Sequence, residues 1–310
     1  MIIRAIISAA LFACLAFFPA RGDASAGERI AVLISLDEAP FQETLAGFRE
    51  HISRQGLQPA YEIFSLEGNV STAGPVLKKI RSGGFTLVLA LGSLATDSAV
   101  KEIADIPIVA GLILRTDALK KAPNATGVGL EFPLETQLSW MRRMLPEART
   151  VGVIYSPQEN RKKIEAAARI ARTLGLELEQ QEVSAPQDVP AALNRLSQKA
   201  DVLWGVADTL VLSPQLAKPI LLFSFRNSIP FIGPSAAWVK AGALYSLDWD
   251  YKDLGAQCAE MALQVLRGVP PGSIPAAVPR KVLYSVNRNT AQQMKITISE
   301  QFLRGARNVF

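Results

Sequence analysis

The sequence predicts an α/β protein that folds as two doubly wound lobes. Short apolar runs alternate with helical patterns, most of these runs are apolar on both faces, and the alternation restarts near the middle of the chain. Strands that are buried on both faces and separated by helices form parallel sheets with helices on each side. With 310 residues, the chain also exceeds the usual size of one compact domain.

The first half of the chain contains four predicted strands and three predicted helices. The predicted strands are 29–35, 61–66, 85–91 and 106–114, and the predicted helices are 41–55, 74–81 and a segment that begins at Ser93. These strands are dense in Val, Ile and Leu, which is typical of strands in a parallel sheet. This half therefore predicts the first doubly wound lobe.

The second half repeats the alternation, beginning with a helix in which Leu134, Leu138 and Met141 lie on one face. The predicted strands are 150–155, 177–183, 201–206, 229–232 and 243–247, and the predicted helices begin at Pro157, near Asp188, at Pro214 and at Tyr251. The run Ser156-Pro157-Gln158-Glu159 predicts a capping box with proline at the first helical position. This half predicts the second lobe.

Residues 1–26 have the features of a cleavable signal peptide. Arg4 precedes an apolar run, and Ala24-Ser25-Ala26 supplies the small residues of a cleavage site. We therefore expect a periplasmic protein whose mature chain begins near Gly27 and has no membrane span. The alternative is a lipid anchor on Cys14, but this cysteine lies inside the apolar run instead of after it.

Composition and charge argue against several classes of function. The formal net charge is +5, and the basic residues are spread along the chain without a dense block, which argues against nucleic-acid binding. His51 is the only histidine, so a His-based triad is excluded and a zinc site is not indicated. After cleavage only Cys258 remains, and its place on an apolar helical stripe predicts a core residue. We expect neither a bound metal nor a cofactor.

The predicted ligand site follows from the topology, because doubly wound sheets bind ligands beyond the carboxyl ends of their strands. In each lobe, candidate residues lie in or beside the loops at those ends. They are Ser35, Phe41, Gly92, Ser93, Leu94, Tyr155, Ser156, Asp208, Thr209, Ser235, Trp238 and Trp249. Facing loops of the two lobes would enclose a small molecule between them.

Three kinds of contact are expected within this set. Gly92-Ser93-Leu94 opens a helix, where backbone amides would suit a carboxylate, although Ser93 could instead cap its own helix. Asp208 follows a buried strand and would pair with an ammonium or amide of the ligand, or serve as a cap or an interlobe contact. The aromatic residues would stack on a flat ligand or pack in the core. Asp248 and Asp250 precede a helix and are interpreted as its caps.

Several short motifs, in a shared order, resemble one family. They are Thr126-Gly127-Val128, Leu134-Glu135-Thr136-Gln137-Leu138, Val151-Gly152-Val153-Ile154-Tyr155-Ser156-Pro157-Gln158-Glu159-Asn160, Ala207-Asp208-Thr209, Ile229-Pro230-Phe231-Ile232-Gly233 and Asp250-Tyr251 with Gly255. This series resembles the ABC-transporter substrate-binding family whose better-known members take up tryptophan and related aromatic amino acids. The chain differs from the family at Ser156 and Thr209, where asparagine is usual, and at Leu210, where threonine is usual.

The resemblance implies the type I periplasmic binding protein fold, in which two Rossmann-like lobes enclose a cleft and three strands cross between them as a hinge. Carried onto this chain, lobe 1 comprises residues 27–131 plus 249–284. Lobe 2 comprises residues 132–248 plus 285–310. This division comes from the resemblance and not from the periodicity of the sequence.

Taken together, the sequence favours the solute-binding subunit of an ABC importer. Such a subunit captures a small molecule by hinge closure and delivers it to the transmembrane permease, and the resemblance implies an aromatic or other amino acid as the ligand. We expect a monomer. The alternative is a periplasmic sensor of the same fold that signals to a membrane receptor. An exported hydrolase that acts through carboxylates alone is a third, less favoured alternative.

Overall fold

The computed structural model of the protein describes residues 27–114 and 116–310. The predicted signal peptide, including Cys14, lies outside the described residues. Within the described ranges two sheets form two lobes, as predicted, and each sheet has an apolar cluster on both of its faces. No helix in these ranges combines the length and apolar character needed to cross a bilayer.

The first lobe contains a five-stranded parallel sheet. Its strands are β1 (Arg29–Ile34), β2 (Ala60–Ser65), β3 (Leu87–Leu91), β4 (Ile108–Ile113) and β5 (Ala125–Gly129), and the intervening helices are α1 (Ala39–Arg54), α2 (Ala73–Ser82) and α3 (Ser93–Glu102). The strands lie in the order β2-β1-β3-β4-β5. Strand β5 was not predicted from the sequence, because its buried residues include threonine and two glycines.

The second lobe contains a seven-stranded sheet. Its strands are β6 (Thr150–Tyr155), β7 (Glu177–Glu182), β8 (Val202–Trp204), β9 (Phe231–Ile232), β10 (Tyr245–Trp249), β11 (Val282–Val286) and β12 (Asn308–Val309). The helices that follow β5 in the chain are α4 (Leu134–Met144), α5 (Pro157–Thr173), α6 (Val189–Leu196), α7 (Pro214–Arg226), α8 (Ala236–Ala241), α9 (Tyr251–Leu266), α10 (Arg288–Gln293) and α11 (Glu300–Gly305). The strands lie in the order β12-β11-β10-β9-β8-β6-β7, and only β10 and β11 pair antiparallel.

Helix α9 returns to the first lobe and packs against α1. Gly47 and Gly255 lie where the two helices cross, and a side chain at either position would overlap the backbone of the other helix, at Lys252 and Thr44 respectively. The two glycines therefore allow the helix backbones to touch. Cys258, one turn further along α9, is fully buried in the apolar core, as predicted.

The chain passes between the two lobes three times: after β5, after β10 and before β11. The lobe boundaries given above stay a prediction. However, Trp249 and residues 282–284, which that division assigns to lobe 1, lie in the seven-stranded sheet, where Trp249 pairs with Val282, and residues 283 and 284 pair with Asp248 and Leu247. The crossing strands thus remain part of the second sheet up to the point where the chain leaves it.

Trp249 connects these crossings. Its indole Nε1 donates a hydrogen bond of 2.6 Å to the carbonyl oxygen of Leu130, and its ring stacks on that of Phe132 with the ring centres 5.8 Å apart. The carbonyl oxygen of Trp249 accepts a hydrogen bond of 3.0 Å from Arg307, whose guanidinium also lies 3.7 Å from Glu43 on α1. The C-terminal segment therefore contacts both the crossing strands and the first lobe.

Candidate functional site

The carboxyl ends of the parallel strands in the two sheets face each other. Strand β5 leaves the first lobe at its carboxyl end and leads into the second, whereas β10 leaves the second lobe at its carboxyl end and leads into the first. Among the described residues, no hydrogen bond or ion pair joins the loops after β1, β2 and β3 to those after β6, β8 and β9. These loops lie at the two edges of the predicted cleft, where this class of sheet binds ligands.

Ser35, Phe41 and Gly92 meet at the first-lobe edge of the cleft. Gly92 precedes α3 with a φ of 92°, a conformation that favours glycine. A Cβ at this position would overlap the Ser35 side chain and lie 2.9 Å from the Phe41 ring. The Ser35 hydroxyl accepts the backbone N–H of Ala95 at 2.9 Å, and so caps the first turn of α3.

The amides of Ser93 and Leu94 are the remaining donors of that first turn. No described residue provides an acceptor for either N–H group. Ser93 does not cap its own helix; its hydroxyl accepts the N–H of Leu114 at 3.3 Å. The side chains of Leu36 and Leu114, in the loops on either side, are 37% and 66% exposed. Two such donors at the positive end of a helix, with exposed leucines in the neighbouring loops, suit a carboxylate with an apolar substituent.

Asp208 organises the second-lobe edge. One carboxylate oxygen accepts the backbone N–H of Ser156 at 2.7 Å and the side-chain amide of Asn160 at 2.9 Å. The other oxygen accepts the backbone N–H groups of Leu210 at 3.1 Å and Val211 at 3.0 Å. Four neutral donors therefore surround a buried carboxylate, an arrangement that stabilises its charge. The Asp208 oxygens are occupied by the chain itself, as expected of a cap.

The predicted capping box at the start of α5 is wrong. The Ser156 hydroxyl donates to the Gln158 side chain at 2.9 Å, and the Ser156 N–H is already bound to Asp208. The Glu159 carboxylate instead accepts the backbone N–H of Thr209 at 3.1 Å and the hydroxyl of the same residue. Both Glu159 and Thr209 are exposed at the cleft edge.

The predicted aromatic contacts have other partners in the structure. Tyr155 is buried, and its hydroxyl donates to Glu182 at 2.9 Å; burial together with this hydrogen bond raises the pKa of Tyr155 to about 12. Trp238 packs on Phe231 with the ring centres 5.4 Å apart. Trp249 lies in the crossing region described above. Phe41, beside Gly92, is the predicted aromatic residue that packs against a cleft loop.

Ser235 and the two predicted caps lie elsewhere around the second lobe. Ser235 precedes α8 but makes no side-chain hydrogen bond to it. Asp250 caps α9 by accepting the N–H of Asp253 at 3.1 Å, as predicted. Asp248 does not cap that helix; strand alternation places it on the same face of the sheet as Ser246 of β10 and Ser285 of β11, and it accepts both hydroxyls. Within the described ranges, no group of three His, Cys, Asp or Glu side chains is placed to hold a metal.

Two residues at the cleft edges, Asn160 and Glu159, were not predicted as part of the site, whereas Leu114 lies in a loop that was. Asn160 is one turn beyond Ser156 on α5, a spacing that would have placed it beside the loop. Glu159 was assigned to the helix cap by its local pattern. Leu114 follows an irregularity in β4, where the register shifts and Leu112 adopts a φ of 56°. The sequence carries no signal for that irregularity.

Comparison with known proteins identifies the family. The model of a family described as ABC transporter substrate binding protein matches residues 29–310. A protein from Clostridioides difficile named tyrosine-binding protein is 26% identical over 240 residues, which cover 74% of this chain and 68% of the relative.

Two solved structures share the fold. A ligand-free, open structure of a substrate-binding protein with adhesive properties from Clostridium difficile has a TM-score of 0.77 at 22% identity, covering 91% of this chain and 99% of the other. An ABC domain from Streptococcus pneumoniae in complex with L-Trp has a TM-score of 0.63 at 23% identity, covering 92% and 100%. The fold is thus that of type I periplasmic binding proteins, and the chain belongs to the ABC transporter substrate binding protein family.

Proposed function

We propose that this protein captures an aromatic amino acid in the periplasm and delivers it to the permease of an ABC importer. The observation that carries the proposal is at the first-lobe edge of the cleft, where no described residue accepts the amides of Ser93 and Leu94 and the neighbouring loops carry the exposed leucines Leu36 and Leu114. The names of the relatives support the same ligand class, since one is called tyrosine-binding and another was solved with L-Trp.

In the proposed complex, the ligand carboxylate accepts the two free amide N–H groups. Ser35 keeps these donors in place, because its hydroxyl already binds the next amide, that of Ala95. Donors that are fixed before binding lose little entropy when the ligand arrives. The ligand's ring would lie against Leu36 or Leu114, whose exposed apolar surface becomes buried on binding.

Closure of the lobes would follow from contacts that the ligand makes with both edges of the cleft. A ligand shifts an equilibrium between open and closed forms only by its difference in affinity for the two forms. Ligand held on the first lobe gains contacts with the loops after β6 and β8 only when the lobes approach. The crossing strands around Trp249 would bend to allow this, in the manner of a hinge.

In the proposed role, the protein binds its ligand and catalyses no reaction. The single histidine, His51, lies on α1, away from the cleft loops, and the Asp208 carboxylate is occupied by chain donors. The closed monomer would dock on the transmembrane permease, open and release its cargo. A signalling receptor in place of the permease would use the same cleft.

Thermal shift with residues 27–310 tests the ligand class. L-tyrosine, L-tryptophan and L-phenylalanine are each compared with leucine, a nucleobase and a sugar. A ligand that binds only the native protein at 100 times its Kd adds about 2.7 kcal/mol of stability. We expect the largest rise in Tm with an aromatic amino acid. A rise with only the sugar or the nucleobase would contradict the proposal.

A matched pair of variants tests the location. Ser93→Trp places a large side chain beside the free amides, and we expect it to abolish the ligand-dependent rise in Tm. Ser82→Trp changes an exposed serine at the end of α2 in the same lobe, and should leave that rise intact. Equal ligand responses in the two variants would show that the ligand binds elsewhere.

A further inference from the structure

We propose that Glu159 is the residue of the second lobe that pairs with the ammonium group of the ligand. This inference rests on the proposed function, because it assumes an α-amino acid held by its carboxylate on the first lobe. It adds a specificity-determining residue at the opposite edge of the cleft. That residue would determine which carboxylic acids close the protein.

The position of Glu159 suits this role. It lies in the first turn of α5, directly beyond the carboxyl end of β6, and its carboxylate reaches Thr209 beyond the carboxyl end of the neighbouring strand β8. The carboxylate therefore lies above the junction of two adjacent parallel strands. This is the edge of the second sheet that faces the first lobe.

The Glu159 carboxylate has unused capacity for a cation. Its partners are the N–H and hydroxyl of Thr209, both neutral donors, whereas an ionised carboxylate offers about four lone-pair sites. In the described part of the chain no Lys, Arg or His forms an ion pair with it. The side chain is exposed, so its negative charge is accessible to a ligand.

Asp208, which follows β8, differs in both respects. It is buried, and each of its two carboxylate oxygens accepts two hydrogen bonds from the chain. By accepting the Ser156 N–H, it also takes the donor that a capping Glu159 would have used. Asp208 therefore fixes the loops, and Glu159 is left as the carboxylate that a ligand can reach.

The two edges are complementary to a zwitterion. The first lobe offers amide donors at Ser93 and Leu94, and the second lobe offers an acceptor with a negative charge at Glu159. A ligand with both charges would bridge the cleft, whereas an acid without an ammonium group would satisfy only the first lobe. Hydrogen bonds between charged groups are the stronger kind, and closure would reduce their exposure to water.

Calorimetric titration of residues 27–310 tests this pairing. The probes are L-tyrosine and 3-(4-hydroxyphenyl)propanoate, which differ only in the ammonium group, and L-tryptophan with 3-(indol-3-yl)propanoate as a second pair. We expect the amino acid to bind at least about 10-fold more tightly than its des-amino partner. Glu159→Gln should weaken binding of the amino acid about 10- to 100-fold and leave binding of the des-amino acid unchanged.

The control is Glu165→Gln, which removes an exposed carboxylate from the same helix and should alter neither affinity. Tm values of the unliganded variants show whether each is folded. If the wild type binds neither amino acid, the proposed function fails and this inference fails with it. If the wild type binds an amino acid but Glu159→Gln retains the full preference over the des-amino acid, the inference alone is overturned.

Discussion

The carboxylate of Asp208 accepts the backbone N–H of Ser156 over a distance of 2.7 Å, although 52 residues separate the two in sequence. The same oxygen accepts the amide of Asn160. These bonds tie the loop after β8 to the loop after β6 and to the first turn of α5. The second-lobe edge of the cleft is therefore held by a buried charge, and Thr209 and Glu159 project from this fixed frame.

Asp208→Asn is expected to destabilise the protein. An amide offers one acceptor atom where the carboxylate offers two, so at least one pair of buried donors loses its partner. Unsatisfied buried donors and lost bonds to a charged acceptor each cost about 1–3 kcal/mol, and we expect a loss of about 3 kcal/mol in unfolding free energy. Urea denaturation measures this loss.

The control for Asp208 is Asp188→Asn. Asp188 accepts the N–H groups of Ser184 and Ala185, but it is partly accessible to water, which can replace lost bonds. We expect a loss of less than about 1 kcal/mol. Similar losses at the two positions would contradict the importance of burial for the Asp208 contacts.

Gly92→Ala is expected to disturb the first-lobe edge. An alanine at this position would have to adopt the positive φ of Gly92, and its methyl group would displace the Ser35 side chain from the Ala95 amide. We expect a loss of about 2 kcal/mol in unfolding free energy and a smaller ligand-dependent rise in Tm. Gly74→Ala is the control, because a Cβ there meets no atom within 4 Å on helix α2; it should be neutral or slightly stabilising.

Most of the framework was predictable because apolar runs determine buried strands directly. β3 and β4 are apolar throughout, as is β1 after Arg29, and all three were predicted from that property. β5 was not, because Thr126 and two glycines interrupt its apolar character. In the structure Thr126 donates to the carbonyl oxygen of Ile274, and Gly127 packs against the backbone of Ala110. These contacts of β5 are with residues distant in the chain, so they leave no pattern in its local sequence.

The cleft was predictable in its location but only partly in its contacts. Topology predicted that Ser35 and Gly92 lie at one edge, and the structure brings them together. At the opposite edge the local pattern assigned Glu159 to the Ser156 amide. A distant residue, Asp208, occupies that amide instead. A capping rule that considers only neighbouring residues cannot predict that the acceptor of the Ser156 N–H comes from the loop after another strand.

Trp249→Phe is expected to weaken the crossing region. The substitution preserves a ring that can stack on Phe132 but removes the hydrogen bond to the carbonyl of Leu130. We expect a loss of about 1–2 kcal/mol in unfolding free energy by urea denaturation. Trp140→Phe is the control, because the indole of Trp140 packs on Tyr284 and donates no hydrogen bond to any described residue. Equal losses would mean that ring size, and not the hydrogen bond, matters at position 249.

Cys258 is expected to be inert in the native protein. Its thiol is fully buried and lies 3.5 Å from the carbonyl oxygen of Ala110, and burial raises its pKa to about 12. Only the thiolate reacts with disulfide reagents. In residues 27–310, where it is the single cysteine, we expect labelling by such a reagent at pH 8 to be at least about 1000-fold slower than in denaturant. Rapid labelling of the native protein would contradict its burial.

The same raised pKa predicts a loss of stability in alkali. Between pH 9, the ordinary pKa of the thiol, and about pH 12, the unfolded chain loses this proton while the native protein keeps it. The unfolded state then binds fewer protons, so unfolding free energy should fall by about 1.4 kcal/mol per pH unit from this group. Cys258→Ala removes the group, and its stability should decline less steeply than that of the wild type by this amount. Parallel declines between pH 9 and 11 would show that the thiol ionises in the native state, because water then reaches it.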